Sequence, residues 1–260
     1  MLTKLLKYDF KSLAKLLIPI YGIALLLALL TRVANLLSDK FSIFSVPSGF
    51  ISVIFVIVLI GIPIVTFIFT ILIFYRNLIK DEGYLMHTIP VSKHNIILSK
   101  TISSTSYLIL SGIFVILLLF IGVYNIWFDS KVLKFLGDAL SHVDTIFLIL
   151  IIISIIISVI LNQLMFYASI SLGQKHNSKI LYSIIYGVVL YNVTQILSVI
   201  ILLPFMLLDS NYQQYISGNN VFNFSLINGF IGLSLVVSVL FIIGYYFITV
   251  KVLDKKLNLE

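Results

Sequence analysis

FSIFSVPSGFISVIFVIVLIGIPIVTFIFTILIFY, residues 41–75, is thirty-five residues long and holds no Asp, Glu, Lys or Arg. A helix needs about 20 apolar residues to cross the hydrocarbon core of a bilayer, so this run is long enough to span. It does not alternate polar with apolar residues as a barrel strand would over about ten residues. Four more charge-free runs follow, at residues 101–128, 145–174, 180–208 and 210–250. The whole chain is 60% hydrophobic and 10% charged. Soluble domains carry roughly 25% charged residues, so this chain cannot clothe a water-facing surface.

The expected fold is an all-α membrane protein with six transmembrane helices, forming one transmembrane domain over residues 1–260. The crossings are expected near Leu16–Leu37, Phe50–Phe74, Thr101–Tyr124, Thr145–Ser171, Ile180–Leu207 and Leu226–Val250. The polar stretch Asn211–Asn223 leaves only the second half of the last run to span. Pro63 and Gly61 stand in the second crossing and Pro204 near the end of the fifth, without charges beside them.

Lys and Arg stay on the cytosolic side of membrane proteins. With the N-terminus inside, thirteen fall on inner segments: Lys4, Lys7, Lys11, Lys15, Arg76, Lys80, Lys93, Lys100, Lys175, Lys179, Lys251, Lys255 and Lys256. Arg32, Lys40, Lys131 and Lys134 remain outside. The charge bias therefore puts both termini in the cytosol, with the chain multi-pass in the cell membrane. The net charge of +7 reads as topology and as contact with anionic lipid, not as nucleic-acid binding. The N-terminus carries no small-residue cleavage site and is not read as a cleavable signal. No cysteine is present, which excludes disulfides and thiolate metal sites.

Lys4, Lys7, Lys11 and Lys15 recur at spacings of three and four, so they share one helix face. Leu2, Leu6, Phe10 and Leu13 take the opposite face. Residues 1–15 therefore suit an amphipathic helix lying in the headgroup plane, with Pro19 at the turn into the bilayer. The plainer reading is a helical positive-inside flank.

The segment 76–95 mixes both signs of charge with apolar residues outside any span. Asp81 and Glu82 favour a helix N-terminus, and Tyr84, Leu85 and Met86 follow. Pro90 pushes Ile89 out of the α region and should end or bend that helix. A short cytosolic helix of this kind is a docking element, or else a connector packed on its own helices; its exposed apolar residues need burial in either case.

KDEGYLMHTIPVSKHNIILSK, residues 80–100, resembles the cytosolic coupling segment of type-2 ABC exporter permeases of the small, six-span Gram-positive kind. That kind includes exporters of peptides, bacteriocins and phenol-soluble modulins. MLTKLLKYDFKSLAKLLIPIYG, residues 1–22, is similar to the family's amphipathic elbow and first span. YASISLGQKHNSKILYSIIYGVV, residues 167–189, is similar to its junction between the fourth and fifth spans. The resemblance implies a permease that does no chemistry, works with a second permease half, and couples to a separate ATPase subunit. ATP and Mg would belong to that subunit. It assigns ATPase docking to Asp81, Glu82, Tyr84, Leu85 and Met86. Larger members have a big extracellular domain between the fifth and sixth spans, whereas here only Leu208–Ser225 stand there. That favours small amphipathic peptides or lipid-like antibiotics as cargo.

The chain itself has no G-x-x-x-x-G-K-[ST] loop to hold nucleotide phosphates. Ser171-Leu172-Gly173-Gln174 reads as a tight cytosolic turn, with Gly173 supplying backbone freedom. Polar residues inside the spans are candidates for a transport path or for contact between permease halves. They are Asn162 and Gln163 in the fourth span, and Tyr191, Thr194, Gln195 and Ser198 in the fifth. The simpler role for them is glue between helices. Tyr182 and Tyr186 fit an aromatic belt at the cytosolic boundary.

His87, His94, His142 and His176 form no metal-ligand spacing and read as solvated loop residues. No carboxylate sits mid-span, which weakens an ion-coupled carrier or channel. A membrane immunity or scaffold protein without transport is the remaining alternative.

Overall fold

The computed structural model describes residues 2–78, 91–122, 134, 137–138, 143–208 and 224–255. Six long helices follow one another: α1 (Leu2–Lys40), α2 (Ser45–Leu78), α3 (Lys93–Gly122), α4 (Thr145–Gly173), α5 (Lys179–Leu208) and α6 (Phe224–Lys255). A 3₁₀ turn at Ser42–Phe44 joins α1 to α2. No strand occurs among the described residues.

All six helices are long and apolar enough to cross a membrane. This is the architecture of a multi-pass membrane protein. Every expected crossing lies within one of them, except that Val123 and Tyr124 fall outside the described residues. The shortest has 29 residues, which at about 1.5 Å per residue exceeds the roughly 30 Å hydrocarbon core. The outward faces are greasy. Ile54, Val56, Ile57, Ile60, Ile64 and Ile68 of α2 are all exposed. Continuous apolar surface of that size would aggregate in water and is at home in lipid.

The described chain forms two compact units. One comprises residues 1–73 and 102–142, the other 74–101 and 143–260. In the first, Leu13, Leu17, Tyr21, Ala24 and Ala28 make one buried stripe on α1. Phe55, Leu59 and Ile62 of α2 and Leu118 of α3 belong to the same core. Ala24 and Ala28 are small, which lets helix backbones approach where no water drives them together. Tyr21 Oη and Thr66 Oγ1 are hydrogen-bonded at 3.0 Å, and the Tyr21 ring stacks on Phe114 at 4.9 Å. Ser111 of α3 interacts with the same Tyr21 hydroxyl, so α1, α2 and α3 meet at one buried hydroxyl node.

α1 runs through Pro19 without a break in secondary structure. Proline removes one backbone donor and strains the preceding turn, but here it does not end the helix. At 39 residues the helix is about 58 Å long, so its first turns extend beyond a crossing. Lys4, Lys7, Lys11 and Lys15 are all exposed. The opposite face packs on the protein itself. Leu13 is buried, the Phe10 ring lies 5.6 Å from that of Tyr107, and Tyr107 Oη donates to the Phe10 carbonyl at 3.0 Å.

In the second unit α4 packs on both α5 and α6, and α5 on α6. Asp144 caps α4, accepting from the Ile146 amide at 3.1 Å. Its other oxygen accepts from Asn228 Nδ2 of α6 at 2.9 Å. That ties the two helices at the ends which the charge bias assigns to the outside.

Gly173 corrects an expectation. The turn after α4 is present, but Gly173 is the last residue of the helix and holds no left-handed conformation. Its importance is steric. A methyl group on Gly173 would lie 2.6 Å from the Ser183 amide nitrogen and 2.8 Å from its Cα, and nearer still to Ser183 Oγ. α4 and α5 therefore touch backbone to backbone at this point.

Candidate functional site

The expected docking residues Asp81, Glu82, Tyr84, Leu85 and Met86 lie outside the described residues. The stems on either side are described, and each is anchored. Phe74, in the last turns of α2, stacks on Tyr167 of α4 with centroids 3.8 Å apart and planes within 7°. Both rings are fully buried, as is Leu78, where α2 ends. On the other side α3 begins at Lys93, where Ser92 starts the helix by accepting from the Asn95 and Ile96 amides through its carbonyl.

His94 is not a loop residue. It sits in the first turn of α3, with Nδ1 2.8 Å from Tyr246 Oη of α6 and the rings 5.8 Å apart. His176, in the α4–α5 turn, is also more than a solvated residue. It stacks on Tyr182 at 3.9 Å, and its Nε2 is 3.1 Å from Tyr186 Oη. Tyr182 and Tyr186 thus do sit together at this end of α5, bound to the turn. His87 and His142 lie outside the described residues.

The six polar candidates in the spans divide into two sets. Gln163 and Thr194 point inward. Gln163 is fully buried, and the Thr194 hydroxyl is hydrogen-bonded to Tyr245 Oη, which also donates to the Leu190 carbonyl at 3.2 Å. The Thr194–Tyr245 bond is an interior tie between α5 and α6, the role hydroxyls usually take in lipid. Asn162, Tyr191 and Gln195 are exposed, and Ser198 is half-exposed. Asn162 Nδ2 donates to its own helix at Ser158 O, 2.8 Å away. Neighbouring Asn192 does the same to Val188 O at 2.8 Å, and it too faces outward. Tyr191, Asn192 and Gln195 thus form an exposed polar strip on a largely apolar helix.

Some features give no sequence signal. Asp9 and Lys100 are both buried, though a flanking charge ordinarily faces water or headgroups. Along α3, Ser99, Thr101, Ser103, Ser104, Thr105 and Ser111 are buried hydroxyls. Thr105 Oγ1 has no hydrogen-bond partner in the described structure. The density of hydroxyls in residues 99–106 was the one available hint, but such residues are ordinary in membrane helices. No cluster of His, Asp and Glu suited to a metal occurs among the described residues. Comparison with known protein families, characterised proteins and solved structures finds no match to this chain.

Proposed function

We propose that this chain is the permease subunit of an ATP-driven exporter of small amphipathic peptides, working with a separate ATPase subunit and a second permease half. The observation that carries the reading is the segment Asp81–Met86, acidic and apolar together, in the connection between two long apolar helices. ATP and Mg would be held by the ATPase. The permease would supply the path and convert docking into movement. Asn162, Tyr191 and Gln195 support a contact with the second half, because they are polar and face outward. The exposed Lys4, Lys7, Lys11 and Lys15 stripe supports contact with anionic headgroups.

A path lined by apolar, hydroxyl and amide groups, with almost no charge, suits an amphipathic or apolar substrate better than a polar solute. Cells lacking this chain should accumulate secreted amphipathic peptide and become more sensitive to such peptides. Unchanged peptide secretion and resistance, with reduced efflux of a polar solute, would overturn the cargo assignment.

The charge bias further requires both termini inside. An alkaline-phosphatase fusion at Glu260 should be inactive, since that enzyme folds only outside, and a fluorescent-protein fusion there should glow. The reverse pattern would invert the topology and remove the segment 79–90 from the cytosol.

A further inference from the structure

The two stems of the segment 79–90 are fastened to the same compact unit. The α2 stem meets α4 through Phe74 and Tyr167, stacked at 3.8 Å and fully buried. The α3 stem meets α6 through His94 and Tyr246 at 2.8 Å. Ile96 and Ile97 of the α3 stem are buried as well. The unit that contains both stems is residues 74–101 with 143–260.

We infer that Phe74–Tyr167 and His94–Tyr246 are positioning pairs that make α4 and α6 the receivers of any displacement a partner imposes on this segment. The inference rests on reading the segment as the ATPase-docking element. Its physical basis is stiffness. A pull on a connection reaches only those elements tied to it more firmly than the connection can stretch. Interiors are close-packed, so a buried stacked pair passes a shift on instead of absorbing it. The two ties are unequal. The Phe74–Tyr167 stack is buried and well aligned, whereas His94 is exposed and its hydrogen bond competes with water. Tyr167 should therefore matter more than His94.

The test uses the full chain with its ATPase in lipid nanodiscs. Tyr167→Leu keeps apolar bulk and removes the ring. It should retain the ATPase but move two- to roughly tenfold less peptide per ATP, the range expected from an aromatic pair. Tyr167→Phe keeps the stack and should restore most of the coupling. His94→Ala should cost about twofold, the lower end of the range for one hydrogen bond, because this one is exposed. Hydrogen exchange on the full chain gives a readout independent of any ATPase. In Tyr167→Leu, exchange should rise together at residues 74–78 and 164–171, and stay unchanged at residues 13–28.

Unaltered exchange at 74–78 in Tyr167→Leu would overturn the inference. So would an unaltered transport ratio, a Tyr167→Phe variant as defective as Tyr167→Leu, or loss of the ATPase from Tyr167→Leu. If the native chain binds no ATPase, the exporter reading fails, and the exchange result alone then decides whether the stems are tied as described.

Discussion

Gly173→Ala should lower the melting temperature of the detergent-solubilised protein sharply, while Gly244→Ala leaves it unchanged or raises it. The same methyl group is added in both cases, to a helix, where alanine is ordinarily favoured over glycine by about 0.5–1 kcal/mol. At Gly244 nothing lies within 4 Å of the added carbon, so that preference acts alone. At Gly173 the carbon would meet the Ser183 backbone at 2.6 and 2.8 Å. The Ser183 hydroxyl can rotate away, but its amide nitrogen and Cα cannot. α5 must move off α4, and with it goes the hydrogen bond from Ser183 Oγ to the Ile170 carbonyl of α4 at 3.5 Å. Overpacking of this kind costs on the order of 1–3 kcal/mol and occasionally more. The check is thermal unfolding of the two variants, followed by loss of the monodisperse peak in size-exclusion chromatography. Equal stability of Gly173→Ala and the native chain would show that the two helices do not approach as closely as described.

Tyr84→Ala combined with Leu85→Ala should release the ATPase from membranes, or leave its hydrolysis uncoupled from export. Burying a large apolar side chain is worth on the order of 1.5–3 kcal/mol. Losing two at one interface should weaken the complex by about a hundredfold or more. The acids should matter less. A rim ion pair contributes at most about 1 kcal/mol, so Asp81→Asn should weaken binding by no more than about fivefold. That smaller effect should shrink further as salt screens it. Co-purification at low and high salt separates the two contributions. A double variant that keeps full binding and full export would remove this segment as the docking element.

The six helices were legible because lipid imposes a coarse rule: long runs without charge must be helical, and their length counts the crossings. Beyond the basic face of α1, the chain did not reveal which side of each helix faces inward. α5 carries polar residues on both its buried and its exposed sides, so no amphipathic stripe marks its buried face. Thr194 and Gln195 are adjacent, yet one is buried against Tyr245 and the other exposed. The same lack of contrast hid the Phe74–Tyr167 stack, since aromatic residues in a greasy helix all look alike. Pro19 is ambiguous for a different reason. A single lost hydrogen bond is compatible with either a bend or a continuing helix, and the buried stripe Leu13, Leu17 and Tyr21 shows the helix continuing through it. Gly173 stands beside a turn, but its role is to let two backbones touch.

The measurement that bears most directly on the exporter reading is affinity purification of the full chain from its own membranes in mild detergent, followed by ATP hydrolysis after transfer to nanodiscs. The expected result is a co-purifying ATPase, stoichiometric with the chain, whose hydrolysis rises when an amphipathic peptide is added and which is lost from the Tyr84/Leu85 double variant. A chain that purifies with no ATPase, from cells that depend on it for peptide export, would contradict the account.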